Sequence, residues 1–165
     1  MMAGHDHYSD EALRSILRRC RTIAMIGASP NWVRPSYFAM KYLQGKGYRV
    51  IPINPGAAGH TVLGETVLGS LDELQAPVPM VDIFRNSQAA GGIVDEVIRL
   101  RNDKHFEVVW MQLGVRNDAA AQRAEAAGLE VVMDRCPKIE YGRLSGELSW
   151  SGVNSGIITA RVLRL

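Results

Sequence analysis

Cysteine is scarce in this 165-residue chain: there are two, Cys20 and Cys136. They stand far apart, in no CxxC pair and no ligand-like cluster. That argues against a disulfide framework or a zinc site and reads as two reduced thiols of a cytoplasmic protein. Long apolar runs are lacking too. Nothing approaches the roughly 20 residues of a membrane span, and the opening MMAGHDHYSD has no apolar core of a signal peptide. Neither sign of charge is in large excess, the formal net charge being +2, so neither nucleic acid nor a membrane surface is indicated as a partner. No internal repeat or low-complexity segment is present. What is there is an ordinary globular balance, 47% hydrophobic and 22% charged. The length allows one sizeable core and is too short for two full domains.

Strand-like and helix-like segments alternate along the chain. Residues 1–8 read as a frayed tail, and Ser9 caps an amphipathic helix, DEALRSILRRC. TIAMIG (22–27) is a buried strand ended by glycine. Pro35 suits the first turn of a helix, PSYFAMKYLQGKG. YRVIPINP (48–55) is a second strand, followed by a glycine-rich stretch and a short helix from about Ser70. MVDIFR (80–85) is a third strand, leading into a helix from Ser87 to about Arg101. FEVVWMQLG (106–114) is a fourth, then comes a helix capped by Asn117, and LEVVMDRC (129–136) is a fifth. From Pro137 onward the pattern predicts an extended tail. The expected organisation is thus a tail and helix over 1–21, a ligand-binding domain over 22–144, and a tail over 145–165, packed on the domain or disordered. The fold class is α/β: a Rossmann-like, doubly wound parallel sheet of about five strands with helices on both faces. The expected strand order is third-second-first-fourth-fifth, with ligands outside the carboxyl ends where the order reverses.

The loop after the first strand, GASPNWVRPS, suits a phosphate group. Gly27 permits a tight turn and close approach of a ligand to backbone. Ala28, Ser29 and Asn31 add N–H groups, the helix starting near Pro35 points its positive end at the same space, and Arg34 adds a cation. The plainer alternative is that Gly27 turns the chain while Ser29 and Asn31 cap the helix. Against G-x-G-x-x-G the positions read Gly27, Ser29 and Trp32, so two glycines of the dinucleotide fingerprint are missing. The second strand ends with Asn54, Pro55 and, further on, His60, with no carboxylate to hold an NAD ribose. A corner without negative charge tolerates a phosphorylated ribose, found in NADP and coenzyme A. The glycine deficit disfavours NADP and leaves coenzyme A.

Four stretches, IGASPNWVRPSYFAMKYLQGKGYRVIPINP, VDIFRNS, WMQLGV and MDRCPKIEY, together resemble the small bacterial and archaeal CoA-binding proteins. The fold of that family is similar to the CoA-binding domain at the start of the succinyl-CoA synthetase alpha chain. The resemblance runs from about Thr22 to Leu144. It implies that Gly27, Ala28, Ser29, Asn31, Arg34 and Pro35 cradle the pyrophosphate and neighbouring pantetheine. Asn54 and Pro55 would lie beside the adenosine and its ribose phosphate, and Phe84, Arg85 and Asn86 on the adenine side. Gln112 to Gly114 and the Arg135–Pro137 turn, with Cys136, would lie nearer the pantetheine. The synthetase chain carries a second domain with a phosphorylated histidine; nothing here matches it, so the ligase reaction does not carry over.

Other candidates have plainer readings beside the chemical ones. His5, Asp6 and His7 could hold a metal but have no specific spacing. His60 is a loop histidine near the ribose corner, and His105 lies at the far end of the fourth strand. Cys136, with Arg135 and Lys138 near it, could form a mixed disulfide with the CoA thiol, or simply be a small buried residue. Lys138 and Glu140 could be an acid/base pair but more simply are solvated or structurally paired. Asp95, Glu96, Arg99 and Arg101 read as an exposed helix face. Trp32, within the loop itself, is placed to lid the site, Trp110 to pack inside the sheet, and Trp150 to dock the tail or make a dimer contact. No Ser/His/Asp, Cys/His or paired-carboxylate arrangement is legible at the strand ends. The leading expectation is therefore a binding or regulatory module for CoA or an acyl-CoA, without catalytic or metal-binding residues. An NAD(P)-linked or CoA-dependent enzyme, or a subunit of one, is the alternative, and a homo-oligomer or an enzyme partner stays open.

Overall fold

The computed structural model describes residues 4–75 and 77–146. In chain order it has α1 (Asp10–Arg19), β1 (Thr22–Ile26), α2 (Pro35–Gly45), β2 (Arg49–Ile53), β3 (Thr61–Val62), β4 (Glu65–Thr66), β5 (Met80–Ile83), α3 (Ser87–Lys104), β6 (Val108–Met111), α4 (Asp118–Ala126), β7 (Glu130–Val132) and α5 (Pro137–Leu144). The caps foreseen in the sequence are formed. Ser9 accepts from the Ala12 amide at 3.1 Å and Asn117 from the Ala120 amide at 3.0 Å, satisfying donors that a helix start leaves open.

Five strands pair in parallel in the order β2-β1-β5-β6-β7. Side chains alternate between two cores. Ala24, Ile51, Val81, Ile83, Val109 and Met111 meet α3 and α4 on one face. Ile23, Met25, Val50, Met80, Val108 and Trp110 meet α1, α2 and α5 on the other. This is the doubly wound, Rossmann-like architecture expected of apolar, β-branched strands alternating with helices.

The strand order differs from the expected one. The third strand, β5, pairs with β1 rather than lying outside β2. The cause lies in the link between β2 and β5. It holds a β3–β4 hairpin and single 3-10 turns at Pro55–Ala57 and Leu71–Glu73 in place of a full crossover helix. Leu71, Leu74 and Val78 from this link are buried in the α3/α4 core with Ile51, Ile53 and Ala24, drawing the chain back across β1. The sheet therefore reverses between β1 and β5. The same link closes the β2 flank. Leu68 donates its amide to the Pro52 carbonyl and accepts from the Asn54 amide, both at 2.9 Å, and pairs with Ile53 as a parallel bridge.

Two end regions also depart from expectation. Residues 4–8 are not frayed. The Tyr8 hydroxyl accepts from the Met133 amide at 2.8 Å, and His5 bridges Tyr8 and Glu125 at 2.8 and 2.7 Å. The segment after Pro137 forms α5 rather than an extended tail. Pro137 occupies the first turn, where its missing N–H costs nothing, and Tyr141 is fully buried edge-on to Tyr42 and Tyr48. Trp150 lies outside the described residues. Among those described, no helix is long and apolar enough to cross a membrane.

Candidate functional site

The reversal between β1 and β5 opens a crevice at the carboxyl ends of the strands, with a volume of about 810 Å³, within the range of small-molecule sites. The loop after β1 and the start of α2 contribute Val33, Pro35, Phe38 and Ala39. The turn after β5 contributes Phe84, Arg85 and Asn86; the turn after β6, Gln112, Leu113 and Val115; and the start of α5, Cys136, Lys138 and Ile139. Eight of the residues singled out in the sequence thus share one cavity: Pro35, Phe84, Arg85, Asn86, Gln112, Leu113, Cys136 and Lys138.

The glycine loop borders this cavity and is held rigidly. Gly27 has φ +82°, and a Cβ built there would sit 2.4 Å from the Phe84 carbonyl oxygen and 2.9 Å from Arg85 Cδ. Glycine is required for the two strand ends to approach this closely. The loop's polar side chains shape the loop itself. Ser29 Oγ accepts from the Asn31 amide at 3.1 Å, Asn31 Oδ1 from the Val33 amide at 3.2 Å, and Ser36 Oγ from the Ser29 amide at 3.1 Å. Asn54 reaches across from β2, donating Nδ2 to the Ala28 carbonyl and accepting from the Gly56 amide, both at 3.0 Å. Ala28, Ser29, Asn31, Arg34, Asn54 and Pro55 therefore frame the loop without lining the crevice. Gly114 also stands outside it, donating its amide to Asp134 at 2.7 Å.

The electrostatics favour an anion. Among the described residues, the Ala28 and Trp32 amides have no acceptor, and neither Arg34 nor Arg85 has an ion-pair partner. The starts of α2 and α5, at Arg34 and Cys136, carry no side-chain cap, and both helix starts contribute to the lining of the crevice. Asn86, by contrast, spends its side-chain oxygen on the Ala89 amide at 2.8 Å, capping α3. Glu140 pairs with Arg143 rather than Lys138, and Lys138 lies 5.7 Å from the Tyr42 ring centroid.

Three acceptor oxygens, both of Asp82 and Oε1 of Gln112, are buried without a hydrogen-bond donor among the described residues. Asp82 stands between Met25 and Trp110 in the sheet register, and its burial raises its pKa well above the usual carboxylate range. The two thiols are both unpaired and buried. Cys136 faces the crevice, whereas Cys20 ends α1, its pKa pushed up to about 12 chiefly by burial. His60 is exposed and lies off the crevice; Trp110 is wholly buried, donating Nε1 to the Arg135 carbonyl at 2.9 Å. No cluster of metal-ligating side chains occurs among the described residues.

The sequence reading assigns no role to Val33, Phe38, Ala39, Val115 and Ile139, which with Leu113 supply much of the wall. Their signal was present: large apolar residues stand in turns and first helical turns, where solvent-facing positions are usually polar.

A family model described as a CoA binding domain matches residues 21–142. The uncharacterized protein YneT of Bacillus subtilis is 32% identical over 133 residues, which cover 81% of this chain and 94% of that protein. Among solved structures, the cell-free ID.343 protein of Thermus thermophilus superposes with a TM-score of 0.77 at 37% identity, covering 83% of this chain and 99% of that one. A hypothetical protein of Pyrococcus horikoshii OT3 does so with a TM-score of 0.76 at 34% identity, covering 87% and 97%.

Proposed function

The chain belongs to the CoA-binding domain family of small bacterial and archaeal proteins, and from that premise we propose that its crevice holds coenzyme A or an acyl-CoA as a binding or regulatory module. The observation that carries this reading is the pairing of the rigid Gly27 loop with unpaired cations at the point where the sheet reverses. The diphosphate lies over the loop, taking the Ala28 and Trp32 amides and the Arg34 guanidinium as donors. The loop that carries the two amides is already held by Ser29, Asn31 and Asn54, so little ordering of its backbone is required on binding. Asn54 acts on the ligand through the loop it holds rather than by touching the adenosine. The pantetheine runs into the crevice past Phe84 and Gln112 toward Cys136.

Calorimetry tests this. CoA is expected to bind more tightly than NAD or NADP, and Arg34→Ala to weaken CoA binding by roughly 1–3 kcal/mol, the range for hydrogen bonds to charged groups. Tighter binding of either nicotinamide dinucleotide overturns the reading, and an unchanged affinity in the variant removes Arg34 from it.

A further inference from the structure

Among the described residues, the exposed large hydrophobic side chains are Trp32, Val33, Phe38, Leu113 and Ile139, from 44% to 68% accessible. Four of them line the crevice and Trp32 adjoins Val33 in its wall. Apolar side chains exposed singly need no explanation; gathered on one concave rim, they mark something that covers them. We infer that this rim seats the hydrocarbon chain of a medium-chain acyl thioester, making an acyl-CoA rather than free CoA the preferred ligand.

The inference rests on the CoA reading of the same crevice and concerns which form of CoA enters. Arg34 and Arg85 lack carboxylate partners among the described residues; Arg34 follows the glycine loop and Arg85 packs at Gly27, and Phe38, Leu113 and Ile139 line the same cavity. Cations and apolar side chains gathered in this way complement a ligand that is anionic in one part and apolar in another. Lys138 also lines the cavity and adjoins Ile139 there, while most of the remaining lining side chains are apolar.

The test is titration calorimetry of the purified chain with CoA, octanoyl-CoA and succinyl-CoA. Covering as few as two methylenes is worth about tenfold in affinity, so octanoyl-CoA is expected to bind at least about tenfold more tightly than CoA, and more tightly than succinyl-CoA. Phe38→Ser and Leu113→Ser, both surface changes, are expected to bring the octanoyl-to-CoA ratio toward one. Equal affinities in the natural protein, or a ratio that both variants leave intact, overturn the inference while the CoA reading stands. So does a dimer, seen by light scattering, that Phe38→Ser dissolves without moving the ratio, since a second copy would then be what covers the rim. Failure of both CoA and octanoyl-CoA to bind overturns the CoA reading and this inference together.

Discussion

A carboxyl group enclosed between Met25 and Trp110 is pushed toward its protonated form by its surroundings. Asp82 has no donor among the described residues, and burial raises its pKa in the folded chain. The folded state thus keeps a proton that the unfolded chain releases. The stability this confers is whole below the ordinary aspartate pKa of about 3.9 and drains away as pH rises toward the folded value. Asp82→Asn removes the ionisation while preserving shape. It is expected to flatten the decline in stability between acid and neutral pH, with no gain at the acid limit because the amide is no better partnered than the carboxyl. Urea unfolding of both proteins at pH 5 and pH 8 checks this; parallel pH profiles would refute it. Asp82 lies inside VDIFRNS, yet nothing in that stretch marks its isolation, because burial and lack of partners are properties of packing. Gly27 was readable for the opposite reason. A lone glycine ending an apolar run has a local cause, a backbone turn with φ of +82°, and local causes leave local signatures.

The elements themselves were largely legible. Strands β1, β2, β5, β6 and β7 fall within the apolar runs that predict them, and Ser9, Pro35 and Asn117 mark helix starts as their chemistry requires. The strand order was not, since apolar residues in the β2–β5 link carry no mark of the face they will cover. Nor was α5, whose sequence PKIEYGRL is mixed in polarity and owes its place to Tyr141. That ring is buried against Tyr42 and Tyr48, with centroids 6.1 and 5.8 Å away. Tyr141→Ala is expected to cost about 3–5 kcal/mol, as for other large buried aromatics. It should also loosen the wall carrying Cys136, Lys138 and Ile139. Denaturant unfolding measures the first effect, and CoA titration of the folded fraction the second. Full stability in the variant would show that α5 is held by other contacts.

Across the whole molecule, the amino-terminal residues brace the crevice from behind. The Arg135 guanidinium lies 5.1 Å from the Tyr8 ring centroid, Asp6 pairs with Arg116, and the Tyr8 hydroxyl takes the Met133 amide. Tyr8→Phe leaves that amide without its acceptor and is expected to cost roughly 1–3 kcal/mol. Amide hydrogen exchange at Met133 should quicken in the variant, and an unaltered rate would assign no role to the hydroxyl. Long-range bracing of this kind was illegible in MMAGHDHYSD, where polarity suggested a loose end. The candidate site was legible by halves. Its loop and turns stood at strand ends, where α/β proteins gather their ligands, while its apolar wall came from residues that resemble ordinary packing until the fold exposes them. A last consequence belongs to the bond pair that joins Leu68 to Pro52 and Asn54. With those groups occupied, and proline bringing no N–H of its own, a foreign strand arriving at this border finds little backbone to grip. Concentrated solutions should accordingly resist polymerising by strand addition along that side.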